Sequence, residues 1–70
     1  MMAVAAASTL TDLSERLERK LGNHAAFGAV ITRVLLRTGV NLRTPKPQQD
    51  QDRALVAKVC DTLAEMGYQL

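Results

Sequence analysis

One segment, HAAFGAVITRVLLRT from His24 to Thr38, limits what this chain can fold into more than any other. Asn23 before it is a good helix N-cap, and Gly39 after it can take the positive φ that ends a helix. At helical spacing, Phe27, Val30, Ile31, Val34 and Leu35 form one wide face. Ala25, Ala26, Ala29 and Leu36 make most of the remaining surface apolar, and only Thr32, Arg33 and Arg37 form a clear polar side. A helix this apolar is either the centre of a domain or is covered by another chain. AVITRVLL is also rich in β-branched residues, but caps flank the segment and nothing nearby offers a partner strand. The helix reading ranks first.

Its neighbours are narrower. Thr9-Leu10-Thr11-Asp12 fits a capping box, with the hydroxyl accepting from the third N–H beyond it and the acid reaching back. Leu10, Leu13, Leu17 and Leu21 then make one leucine stripe, and Glu15 and Arg19 form a favourable i,i+4 pair. Gly22 is expected to close this helix in the left-handed conformation. A third helix is expected from Pro47 to Met66, with Leu55, Val59, Leu63 and Met66 as its stripe and Val56 and Cys60 beside it. Gly67 would cap it in a Schellman ending, with Tyr68 packing back on Leu63 and Leu70 docking on the core.

Between the second and third helices lies GVNLRTPKPQQ, Gly39 to Gln49. Pro45 and Pro47 restrict Thr44 and Lys46 to extended conformations, so Asn41–Lys46 reads as a short, stiff, extended strip. Pro47 or Pro45 suits a first helical position. The fold class is therefore all-α: a small three-helix domain, about 9–21, 24–38 and 47–66, with an extended Pro-containing crossover. Residues 1–8, MMAVAAAS, lack a pattern and read as a flexible N-terminus ahead of a single helical domain, 9–70.

Size now matters. A chain of 70 residues buries only about 60% of its unfolded surface, so its core is marginal without a staple. Cys60 stands alone, which rules out an intrachain disulfide, and one Cys with one His cannot supply a four-ligand zinc site. Completion by dimerisation, or by a partner protein, is the remaining expectation. No apolar run approaches the roughly 20 residues that span a bilayer, so no membrane partner is expected. The N-terminus has no basic region of the secretory kind, and with the lone thiol this favours the cytoplasm.

The sequence offers little catalysis. Gly22, Gly28, Gly39 and Gly67 are scattered, so no phosphate loop is present. His24 opens the second helix and could act as a base or pH switch, but an exposed first-turn residue is the plainer reading. Cys60 beside the apolar stripe reads as a small core residue rather than a nucleophile. No serine sits on an elbow, and no catalytic, cofactor-binding or metal residues are assigned. An enzyme is the least favoured class.

Charge points elsewhere. From Arg19 to Lys46 there are six bases and no acid. A solvated face accounts for much of this, because Arg19, Lys20 and Arg37 fall in last turns where the helix dipole favours them. An acidic protein surface or a nucleic acid would also fit. A helix-turn-helix would make the second helix the recognition helix, yet His24, Ala25, Ala26 and Phe27 offer base edges little hydrogen bonding. Two aromatics, Phe27 and Tyr68, are too few for single-strand stacking.

The expected function is thus a small non-enzymatic helical regulator or adaptor acting through protein–protein interaction, as a homodimer or on an acidic partner surface. Phe27, Ile31, Val34 and Leu35 are the expected anchors, and Arg33, Arg37, Arg43 and Lys46 the steering charges. The alternative is a small dimeric DNA-binding transcriptional regulator using the basic patch.

Overall fold

A computed structural model describes residues 9–70 and shows an all-α domain of four helices: α1 Leu10–Leu21, α2 Phe27–Thr38, α3 Pro47–Asp50 and α4 Arg53–Glu65. The expected frayed segment, residues 1–8, lies outside the described residues.

Helix α1 starts where its cap sequence places it. Thr9 is extended, at φ −136° and ψ 160°, and its hydroxyl accepts the Asp12 N–H at 3.0 Å. Asp12 does not reach back to complete the box. Its carboxylate pairs at 3.1 Å with Arg16 one turn on, a charged donor that competes better than a neutral N–H. Among the described residues this pair, rather than Glu15–Arg19, is the salt bridge of α1. The stripe Leu10, Leu13, Leu17 and Leu21 is buried, as the spacing requires.

Two expectations fail between α1 and α2. Gly22 stays right-handed, at φ −53° and ψ −33°, and its N–H still bonds to the Glu18 carbonyl at 2.7 Å. Helix α2 starts at Phe27 rather than His24. The chain reverses through successive tight turns, with His24 N–H on Leu21 O at 2.8 Å and Phe27 N–H on His24 O at 3.1 Å. An Asn23 cap would need the Ala26 N–H, but the Nδ1 of His24 takes it at 2.9 Å.

Helix α2 ends as read from the sequence. Gly39 is left-handed, at φ 76°, and donates to Leu35 O at 2.9 Å. The Thr38 hydroxyl donates to Val34 O and accepts from Val40 N–H, carrying the chain around the corner.

The crossover differs most from its expected form. Asn41–Thr44 is a turn and not an extended strip: Asn41 O accepts from Thr44 N–H at 3.1 Å, and the Asn41 side chain accepts from Arg43 N–H at 3.0 Å. Asparagine competes for its own neighbours' N–H groups, and the proline restriction acts only from Thr44 onward. Lys46 shows the expected extended backbone, at ψ 138°, and Pro47 occupies the first turn of α3. The turn drives Val40 and Leu42 inward until both are fully buried, and the Ser14 hydroxyl fastens the Leu42 carbonyl to α1.

The expected third helix is broken at Gln51–Asp52. Asp52 is extended, at φ −71° and ψ 106°, and its carboxylate caps Ala54 and Leu55 N–H at 3.0 and 3.3 Å. A continuous helix would forfeit that cap. At the far end the Schellman ending is present: Gly67 is at φ 92°, Tyr68 N–H bonds to Leu63 O, and Gly67 N–H to Ala64 O, both at 2.9 Å. Tyr68 and Leu70 pack on the core, and Arg16 holds the Leu70 carbonyl at 3.1 Å.

The core thus joins the α1 leucines, Val30, Ile31 and Val34 of α2, Val40 and Leu42 of the crossover, and Val56, Val59 and Leu63 of α4. Helix α2 packs chiefly on α4, and α3 sits against the start of α1.

Candidate interaction surface

Because 3.6 residues make a turn, α2 can turn only part of its apolar girth inward. Val30, Ile31 and Val34 point into the core and Phe27 is half-buried against it. The opposite side carries Gly28, Ala29, Thr32, Arg33, Leu36 and Arg37, which line a shallow open groove along the helix. Leu36 is 81% exposed and Leu35 is 42% exposed, the two large hydrophobics left in water among the described residues. Covering a leucine side chain fully is worth about 2 kcal/mol. Nearly all of that gain is still available at Leu36.

The expected anchors therefore divide. Ile31 and Val34 are already consumed by the chain's own core, in which α2 packs chiefly on α4. Leu35 faces solvent on the groove's flank. Phe27 sits at the N-terminal end, with the guanidinium of Arg43 over its ring at 5.1 Å. Leu36, the residue that most needs cover, lies off the stripe that periodicity singles out. The signal for it was present: a large aliphatic outside the inward stripe of an otherwise satisfied helix.

The expected charges divide too. Arg33 and Arg37 line the groove on one flank. Arg37 bonds to Glu65 of α4 at 2.8 Å, with both side chains more than half exposed, so the pair contributes little to stability. Arg33 has no such carboxylate among the described residues. Arg43 lies beside Gly28 at the groove's N-terminal end. Lys46 precedes α3, outside the residues that line the groove.

Elsewhere the chemistry is local. Cys60 borders a small apolar cavity of about 50 Å³ with Leu13, Leu63, Ala64 and Tyr68–Leu70. Burial pushes its thiol pKa up, the Asp61 carboxylate adds to this, and Arg16 opposes it. This environment favours the neutral thiol over the nucleophilic thiolate. His24 spends its Nδ1 on the turn before α2. Asp50 and Asp52 spend their carboxylates as helix caps. Among the described residues no group of three His, Cys, Asp or Glu gathers to hold a metal, and no helix is long and apolar enough to cross a membrane.

No family model, curated protein or solved structure matches the chain.

Proposed function

We propose that this protein is a small non-enzymatic helical adaptor or regulator that works by docking the outer face of α2 against another polypeptide. The exposure of Leu36, in a groove floored by Gly28, Ala29 and Thr32, carries this reading. Small residues let a partner backbone approach while the leucine supplies a buried anchor. By sequence, α2 has more apolar surface than its neighbours can hide. Val40 and Leu42 of the crossover join Val30, Ile31 and Val34 in the buried core, and the large aliphatics of α2 left exposed are Leu35 and Leu36. The DNA-binding alternative receives less support, because the groove's centre is aliphatic.

The test combines light scattering at micromolar concentration with selection from a displayed library of random peptides. Wild-type and Leu36→Asp proteins are run side by side. Either an oligomer or an enriched peptide family, lost in Leu36→Asp, supports the reading. A wild-type monomer that enriches nothing, or a product indifferent to Leu36→Asp, rejects it.

A further inference from the structure

We infer that the occupant of the α2 groove is an amphipathic helix of another protein, with an aliphatic stripe flanked by carboxylates, and not a second copy of this chain. The inference rests on the docking reading above and adds the partner's chemistry.

The groove's shape points to a helix. Its lining runs from Gly28 to Arg37, a straight stretch of about 14 Å at 1.5 Å per residue. Gly28, Ala29 and Thr32 form its near end and offer little side-chain bulk. Leu36 stands at its far end. A rod-shaped partner can lie close over the small residues and pack its aliphatic stripe against Leu36, as in helix-in-groove recognition.

The groove's charge points to acid. Its two charged lining residues, Arg33 and Arg37, stand one turn apart on one flank. Helix α2 contains no carboxylate, and none occurs anywhere from Arg19 to Lys46. Glu65 of α4 reaches Arg37 from outside the groove's lining. The opposite flank carries Leu35, and the guanidinium of Arg43 stands beside Gly28 at the N-terminal end. A partner helix therefore meets Arg33 and Arg37 along one edge and Arg43 at the N-terminal end.

The same distribution disfavours self-pairing. Two copies joined face to face would bring two sets of Arg33 and Arg37 into one interface. The groove has no free carboxylate to neutralise them. Like charges juxtaposed across an interface cost affinity and suppress the wrong partner.

The experiment uses two fluorescent helical peptides of equal length. Both carry leucines at helical spacing; one has glutamate flanks and the other lysine flanks. Anisotropy is measured on the full chain at low and high salt. The glutamate peptide is expected to bind about tenfold tighter or more at low salt, with the gap narrowing as salt screens it. Arg33→Glu combined with Arg37→Glu should reverse the preference, and Leu36→Asp should weaken both peptides. All three positions are exposed, so unchanged thermal melts certify the fold. Equal binding, lysine preference, or no binding of either peptide overturns the inference. A wild-type oligomer that dissociates on Leu36→Asp also overturns it, yet leaves the docking reading standing. A monomer that binds neither peptide and enriches no library sequence removes both.

Discussion

The carboxylate of Asp50 accepts two hydrogen bonds from Thr11, a residue 39 positions earlier: the backbone N–H at 2.8 Å and the hydroxyl at 2.7 Å. The N–H of Thr11 is one of the orphan donors in the first turn of α1, and Thr9 already satisfies the next one, at Asp12. Two side chains therefore divide one helix end between them, and one reaches across from α3. Asp50 also places a negative charge at the positive end of the α1 dipole. Replacing Asp50 with Ala should cost about 1–2 kcal/mol in urea unfolding, as lost N-caps do. Thr11→Val should cost less, because the backbone donor survives. The double variant should cost less than the sum, which a double-mutant cycle would measure.

Leu42 gives a larger effect. It belongs to a connecting turn, yet it is fully buried, and its carbonyl is held by Ser14. Leu42→Ala should cost about 2–5 kcal/mol, as for a leucine of a helix stripe such as Leu17. A 70-residue domain has a stability of roughly 4–10 kcal/mol, so a sizeable unfolded fraction should appear in circular dichroism near physiological temperature. If Leu42→Ala is as mild as a surface change, the turn is not part of the core.

These two residues mark where the sequence is legible and where it is not. Leucines at spacings of three and four residues announce their own burial, because the helix period alone decides which face they share. Thr9, Gly39 and Gly67 were legible for the same reason, since each acts on backbone groups a few residues away. Asp50 acts 39 residues away, and no local pattern encodes that reach. Val40 and Leu42 alternate around Asn41 in a segment dominated by its prolines. The turn that buries them depends on Asn41 competing for the Arg43 N–H. Asp52 was readable in principle, as an acid three residues before the apolar Leu55, but the nearby Pro47 supplied an equally good start. The expected interaction anchors divide between core and surface because hydrophobic periodicity finds the inward face. Ile31 and Val34 obey the period and are core, whereas Leu36 departs from it and is exposed.

Two glycines should resist substitution for different physical reasons. At Gly39 the backbone is left-handed, at φ 76°, and an added Cβ would meet nothing within 4 Å. The cost of Gly39→Ala is conformational, about 1–2 kcal/mol. A D-alanine introduced there by chemical synthesis should remove it. At Gly22 the backbone is right-handed, but an added Cβ would lie 2.5 Å from the Glu18 carbonyl oxygen. Gly22→Ala should therefore force the end of α1 apart. Urea unfolding of these three proteins and of one with D-alanine at position 22 separates strain from collision: only the Gly39 site should be rescued by inverting the stereocentre.

Cys60 supplies the pH-dependent test. Its folded-state pKa is raised, first by burial beside the Tyr68–Leu70 segment and then by Asp61. The folded chain thus holds the thiol proton more tightly than the unfolded chain does. Stability from this source is fully present below the unfolded thiol's pKa and is lost as the pH climbs through the folded one. Wild type should therefore lose stability relative to Cys60→Ala as the pH moves from neutral into the alkaline range, and the two curves should run parallel below neutrality. Thiol labelling offers an independent check. At neutral pH the folded protein should react more slowly with an alkylating reagent than the urea-unfolded chain, since the thiolate is the reactive form. Equal labelling rates in the two states, together with superimposable stability curves up to alkaline pH, would show that the C-terminal residues do not shield this thiol.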